Sequence, residues 1–488
     1  MIWQIVKKEF LLSLMTFKFA VGVIVCIVLT AVFVPILARD YEQRLRTYHE
    51  NVARDEAELR KVKVYRNIRP TIFRAPAVLS VFSEGLDKRI DASATIALGQ
   101  VPQMRGAAAQ GNPYQSIFPV FDASLIFRIV ISVLALLVAY DAVSGERERG
   151  TLKLTLSGHV RRSTVLLGKL LAGLMVLVVP VTAVFVIALV ILLSFPLVEL
   201  TGSDWGRIAL MYAASLIFTA TMYNLGLLFS CLARRSALSL VLGLFLWVLF
   251  VVVIPNGSVY LASQRRSVEP RKALDAQMAA WRKDCDRRAR DSVRVENDDG
   301  SQSDAEDAFG SYYHRKLEGS AIKFYGAYYP IWHRLNIECA DRCWEVERHY
   351  LAGLAAQKRV AADLSRISPI CLYESAMSTL AGTDEGSWQA FVDAVGEQRK
   401  GLIDYVRVKT DNFTATTLFT PYTQEQMANL PREGQDPPLN LDDLPRFVYR
   451  PGAARDLRRA VPDLGLLAFT NLLLFALSFV AFLRYDVR

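Results

Sequence analysis

The stretch from Tyr140 to Ser163, YDAVSGERERGTLKLTLSGHVRRS, decides the fold because it is polar and lies between two long apolar runs. Before it stands LIFRIVISVLALLVAY (residues 125–140), and after it VLLGKLLAGLMVLVVPVTAVFVIALVILLSF (residues 165–195). Within nine positions it crowds Asp141, Glu146, Arg147, Glu148 and Arg149. A chain that leaves an apolar medium for such a segment and then returns to it is a chain that crosses a membrane.

The remaining residues agree. The chain has 488 residues, 52% of them hydrophobic, with a mean hydropathy of +0.23. A soluble chain would disperse these residues with helix or strand periodicity. Here they gather in runs of about 20, the length that crosses a hydrocarbon core of ~30 Å. Six runs stand out, at 17–38, 123–140, 165–195, 207–230, 236–255 and 463–483. The long third run reads as one tilted helix through Pro180, since each half alone is too short to span. The first run follows a basic head with no small-residue cleavage site behind it, so it reads as a retained span.

Loop charges supply an independent check. Six spans put both termini on one side, which collects Lys7, Lys8, Lys18, Arg147, Arg149, Lys153, Arg161, Arg162, Lys169, Arg234, Arg235, Arg484 and Arg488. The short loop on the other side carries Glu199, Asp204 and a lone Arg207. The expected fold class is therefore an all-α polytopic membrane protein with six transmembrane helices and both termini cytoplasmic. The large excursions, 39–122 and 256–462, then face outward. Their charges are mixed, so the net +9 reflects cytoplasmic flanks drawn to anionic membrane lipid and not a nucleic-acid surface.

Residues 1–16 read as an amphipathic interface helix, with Trp3, Val6, Phe10 and Leu14 on one stripe and Lys7, Lys8 and Glu9 largely off it. After the first span, RDYEQRLRTYHENVARDEAELRKVKVYR (residues 39–66) continues outward as a helix until Pro70 and Pro76 end it, and residues 99–113 read as a loop. The second excursion predicts helices near 262–291, 335–366 and 387–409. This second excursion, 256–462, reads as a mainly helical extracytoplasmic domain before the final span, and 39–122 as a separate extracytoplasmic segment.

The 141–164 loop exceeds what two neighbouring spans need in order to turn. A short charged helix held below the membrane is a docking knob, with Glu146, Arg147 and Glu148 expected at its tip. Here the chain resembles the type-2 ABC transporter permeases. Asp141, Gly145, Glu146, Arg147, Glu148, Gly150, Thr151, Leu152, Arg161, Gly168 and Lys169 match that family's signature, while His159 stands where the family often has proline. Lys7, Lys8, Glu9 and Phe10 after an amphipathic start, and the closing RYDVR, are also similar to the family. Ser368, Pro369, Ala381, Gly382, Thr383 and Phe391 resemble a segment of a bacterial subgroup with a large insertion before the last span.

The resemblance implies that the loop from Asp141 to Leu152 is a coupling helix seated in a groove of a cytoplasmic ABC ATPase. The ATPase must be a separate polypeptide, because this chain has no G-x-x-x-x-G-K-[ST] phosphate loop. ATP and Mg²⁺ would bind that partner, and this chain would need no cofactor of its own. A second copy of the chain, or a paralogous permease, is expected beside it. The setting implied is the bacterial inner membrane. Neither G-x-S-x-G nor H-E-x-x-H is present, so the chain does not read as an enzyme.

Arg128 lies inside the second span, where a charge either snorkels outward or faces a protein interior, with a place in a substrate path as the alternative. Asn224, with Tyr223, is a helix-contact residue or a path residue in the fourth span. Cys285, Cys339, Cys343 and Cys371 fall in the outward segment, where disulfides persist, and sequence alone does not choose among their pairings. His333 and His349 flank Cys339 and Cys343, but on one helix they stand ~24 Å apart, too far to share an ion. No metal site is expected. Three functional readings follow: an ATP-driven exporter subunit, a mechanical transmitter acting on a periplasmic or envelope protein, and a membrane-anchored thiol oxidoreductase. The last lacks the C-x-x-C spacing its chemistry favours.

Overall fold

The computed structural model describes residues 2–88, 91–106, 122–152, 161–292, 295–296, 302–303, 319–418, 438–447 and 453–484. Six helices among these are long and apolar enough to cross a membrane. They are α2 (Phe17–Leu59), α3 (Ala123–Glu148), α4 (Arg162–Leu193), α5 (Gly202–Leu232), α6 (Ser236–Arg265) and α11 (Ala453–Leu483), the last spanning from Asp456. They coincide with the six apolar runs, and α4 passes through Pro180 as one helix. Ahead of α2, α1 (Ile2–Leu14) packs along α4.

The centre of the bundle is α5, which contacts α3, α4, α6 and α11 and is the most buried span. Its small and hydroxylated residues explain this. Lipid tails are as apolar as leucine, so close backbone approach and hydrogen bonding hold membrane helices together. At Gly226 a Cβ would stand 2.7 Å from that of Ala139 on α3, and at Gly173 on α4 it would stand 2.2 Å from the Tyr223 ring. Ser215, Thr219 and Thr221 return their hydroxyls to carbonyls one turn back, at 2.8, 2.7 and 2.8 Å. These three hydroxyls are thereby kept from facing hydrocarbon unpaired. By contrast α2, α6 and α11 expose long apolar faces, including Val28, Phe245, Phe469 and Leu472.

The two excursions build one body instead of two segments. α2 continues past the apolar run, and Arg44 on it pairs with Asp40 and Asp87 at 3.0 and 2.6 Å. Arg74 holds the same Asp87 from the other side. An antiparallel sheet follows, β1 (Thr71–Phe73), β2 (Asp91–Thr95) and β3 (Gln103–Gly106), with Ile72 opposite Ala94 and Thr95 opposite Gln103. Strand β3 occupies part of the expected 99–113 loop, because pairing with β2 supplies the order its own composition lacks. Ile72, Ala94, Ile96 and Leu98 share a core with Ile337, Phe391, Val395, Leu402 and Val406 from the second excursion.

The second excursion supplies α7 (Arg271–Asp291), a two-stranded ribbon of β4 (Val295–Glu296) and β5 (Gln302–Ser303), α8 (Gly319–Ser365), α9 (Pro369–Ala381) and α10 (Glu385–Lys409). The expected helices near 262–291, 335–366 and 387–409 are present with shifted limits, and α6 runs on to Arg265. Most of the acidic stretch 295–307 and of the proline-rich stretch 430–451 lies outside the described residues.

One helix departs from the expected division. α9 falls within the sequence assigned wholly to the outward domain, yet it packs against α5 and α11 and touches the π turn Leu249–Val253 of α6. Tyr373 stacks on Phe218 of α5 at 4.5 Å and exchanges a hydrogen bond with Ser215 at 2.9 Å. Thirteen residues are too few to span but enough to re-enter a bundle from one side. Ser368 stands at its N-cap and donates to the Phe250 carbonyl at 3.0 Å. Gly382 ends it with a φ of 72°, a left-handed turn that glycine adopts without strain. Thr383 donates to the Ser83 carbonyl at 3.1 Å, and its own carbonyl accepts from Leu86 at 2.9 Å. The Ser368–Thr383 pattern is thus the frame of a helix held among spans.

Candidate coupling site

The loop after α3 begins by tying itself to α5. The Val143 and Ser144 amides both donate to the Ser230 hydroxyl, at 2.9 and 3.0 Å. This fixes the final turn, Ser144–Glu148, under the centre of the bundle. Three consecutive side chains then reach three different spans. The Glu146 carboxylate pairs with Lys169 of α4 at 2.8 Å. Arg147 donates to the Ala233 and Cys231 carbonyls at 2.9 and 3.3 Å, where the end of α5 leaves acceptors unmatched and the helix dipole favours a cation. Glu148 accepts from the Ser236 amide at 3.2 Å and from its hydroxyl at 2.6 Å, capping the start of α6 with a negative charge.

Two more elements join. Lys169, its side chain only 3% exposed, also meets Glu9 of α1 at 3.3 Å, so one buried ammonium lies between two carboxylates. Gly168 makes this possible, because a Cβ there would come within 2.8 Å of Ile5 and push α1 off α4. The Tyr223 hydroxyl donates to the Lys169 carbonyl at 3.0 Å. On the other flank Lys18 of α2 pairs with Asp141 at 2.9 Å and sits over the Tyr140 ring at 4.3 Å. The stretch from Tyr140 to Glu148 therefore touches α2, α4, α5 and α6, and meets α1 only through Lys169.

The expected tip is accordingly corrected. Glu146 and Arg147 turn inward to the spans, and Glu148, although exposed, is held as a cap. Among the described residues, the exposed ones that follow Glu148 are Arg149, Gly150 and Thr151, with Leu152 buried behind them. Gly150 has a φ of 77° and open space around it, so it reverses the chain at a point where glycine is favoured. Residues 153–160, with Lys153 and His159, lie outside the described residues.

This geometry accompanies a family match that spans nearly the whole sequence. Residues 3–487 match the model of the ABC-2 family transporter proteins. The chain belongs to the ABC-2 family. Two curated relatives are called probable ABC transporter permease protein NosY. The one from Stutzerimonas stutzeri is 36% identical over 154 residues, 30% of this chain and 54% of that protein. The one from Pseudomonas aeruginosa is 35% identical over 151 residues, again 30% of this chain and 54% of that protein. The chain thus spans about half the length of the curated relatives it matches.

The remaining candidates in this ABC-2 protein separate into distinct settings. In α1, Val6 is buried and Glu9 and Phe10 are half-buried, whereas Lys7, Lys8 and Trp3, the last 65% exposed, face away from α4. The expected stripe of Trp3, Val6, Phe10 and Leu14 is therefore split between protein and surroundings. Arg128 lies in the π turn Ile126–Ile131 and pairs with Glu374 of α9, so its charge is met by a carboxylate from the second excursion. Asn224 donates its side-chain amide to the side-chain oxygen of Asn471 on α11.

The cysteines are all free thiols in the structure. Cys285, Cys339 and Cys343 gather in one apolar cluster, while Cys371 lies apart on α9. Among the described residues, no group of three or more histidine, cysteine or acidic side chains is placed to hold a metal ion. Sequence reasoning matched Lys169 to the family pattern without seeing it as the hub. Its signal was a lone charge inside the 165–195 apolar run, where an ionisable residue calls for a named partner. Ser230 and Ser236 carried no such signal.

Proposed function

We propose that this protein is the membrane-spanning permease subunit of an ATP-driven transporter of the ABC-2 type. A separate cytoplasmic ABC ATPase binds ATP and Mg²⁺ and docks on the Arg149–Thr151 turn. The inward-facing residues behind that turn carry the motion to the spans. The observation that carries this reading is that Glu146, Arg147 and Glu148 engage α4, α5 and α6 in turn. A push on the turn then moves three spans together, whereas an ordinary connecting loop would move only its two neighbours. A second copy or a paralogous permease completes the pair, and the side bearing α1 and the loop is cytoplasmic. The output is export across, or extraction from, a bacterial inner membrane.

Site-specific photo-crosslinking at Thr151 in cells tests this. An adduct containing a polypeptide with a G-x-x-x-x-G-K-[ST] loop is expected. Adducts only with lipid or with envelope proteins would overturn the reading.

A second reading is supported by one observation: α6 runs on to Arg265, and α8 packs along its far end before leading directly into α9. That continuous helical path from span to excursion suits a transmitter acting on an envelope partner. ATPase activity of the purified assembly raised by such a protein, and not by any lipid or solute, would favour it.

A further inference from the structure

The helices α7 and α8 run antiparallel. Arg271 near the start of α7 pairs with Glu347 at 2.5 Å, and the Arg266 carbonyl just before α7 accepts from Gln357 at 2.8 Å. Farther along, α7 meets earlier positions of α8, and there the contact is made of sulfur. Cys285 of α7 and Cys339 and Cys343 of α8 lie together among Leu274, Met278, Trp281, Val346 and Tyr350. Cys339 thus packs in one cluster with both other cysteines. Cys285 is half-buried, and the other two are buried.

Thiols buried in apolar surroundings are ordinarily inert packing groups. Three gathered in one cluster across two helices are a different chemical object, since cysteines that pack side by side need little backbone movement to bond. Cys339 and Cys343 are one turn apart on the same helix, and joining them would distort that turn. Joining Cys285 to Cys339 links two separate helices and leaves both intact.

We propose that Cys285 and Cys339 are a redox-exchangeable pair that locks α7 to α8 when oxidised, with Cys343 as a buried bystander. The oxidant is a disulfide-bearing thiol oxidoreductase of the outward compartment. Cys285, the more accessible thiol, attacks that disulfide, forms a mixed disulfide and releases one partner thiol. Cys339 then attacks the Cys285 sulfur and releases the second. The pair loses two electrons and two protons, and the oxidant becomes a dithiol. Because α8 leads directly into α9, the lock acts on the helix that meets Arg128. The cellular half of this proposal rests on the outward placement of the excursions.

The test uses the full-length protein. Purified in detergent and treated with oxidised glutathione, it should yield a linked peptide pair containing Cys285 and Cys339 by mass spectrometry. Cys343→Ala should preserve the link, and Cys285→Ala and Cys339→Ala should each abolish it while the protein still elutes as wild type. Linkage through Cys343 instead, or protection of the thiols that a chelator reverses and a reductant does not, would overturn the pairing. Alkylation in intact cells should leave Cys285 unmodified until reductant is added. A link that forms in detergent while Cys285 is freely alkylated in cells would contradict the outward placement and leave the pairing standing.

Discussion

Glu146 and Lys169 form an ion pair of 2.8 Å that joins the turn after the second span to the start of the third, and Glu9 closes on the same ammonium from α1. Lys169 is almost fully buried. Breaking a buried pair by removing one partner typically costs about 3–5 kcal/mol, because the remaining charge is left in a poor solvent. Glu9 should soften that loss. Glu146→Gln is therefore expected to destabilise the protein by about 1–3 kcal/mol, and Glu146→Gln with Glu9→Gln by more than the sum of the single changes. Thermal unfolding of the four proteins in detergent checks this, and strict additivity would contradict a shared ammonium.

Gly173 has a steric consequence. A methyl group there would enter the Tyr223 ring at 2.2 Å, and that ring is buried against α4. Gly173→Ala should cost about 1–3 kcal/mol through overpacking. Adding Tyr223→Ala should recover part of the loss despite removing the hydrogen bond to the Lys169 carbonyl. An alanine variant as stable as wild type would place α4 and α5 farther apart than described.

In the excursion domain, His333 is fully buried between Trp332, at 4.8 Å, and Phe413, at 6.0 Å. Burial, with Arg66 nearby, pushes its pKa down from 6.5 to about 3. The folded protein thus keeps the ring neutral where the unfolded chain would take up a proton. Stability from this group is complete above pH 6.5 and is lost as pH falls from there towards 3, by about 1.4 kcal/mol per pH unit. Unfolding curves at pH 7.5 and pH 5 should differ less in His333→Leu than in wild type. Equal pH dependence in the two proteins would show the ring to be protonated or exposed.

Arg128 and Glu374 offer a swap. Arg128→Glu alone should disrupt the seat of α9, because it sets two carboxylates together inside the bundle. Arg128→Glu with Glu374→Arg should restore it, as read by protease resistance of the 366–383 segment. Failure of the double variant, with full resistance in the single one, would show that the pair does not hold α9.

The six spans were legible because hydrocarbon imposes one length and one composition on them, and that constraint is local. The loop's signature was legible too, but the direction of its side chains was not. Glu146, Arg147 and Glu148 look like surface charges in sequence, and their partners Lys169, the Cys231 and Ala233 carbonyls, and Ser236 become neighbours only once the spans pack. α9 was hidden for a related reason. Its 13 residues carry no spanning signal, and Glu374 reads as a solvent charge until Arg128 is seen opposite it. Strand β3, with glycine and glutamine at its ends, is ordered by its neighbour and not by its own residues.

In the proposed function the loop has two separable parts, a docking turn and an inward latch. Affinity of the cognate ATPase subunit and ATPase activity coupled to output, measured side by side on two variants in reconstituted membranes, test it most directly. Arg149→Glu, on the exposed turn, should weaken ATPase binding at least tenfold with the fold intact, since a charge reversal that sets like charges together at an interface costs about 1.4 kcal/mol or more. Glu146→Gln, behind the turn, should leave binding within about twofold and uncouple hydrolysis from output. Loss of binding in Glu146→Gln with unchanged binding in Arg149→Glu would contradict the account.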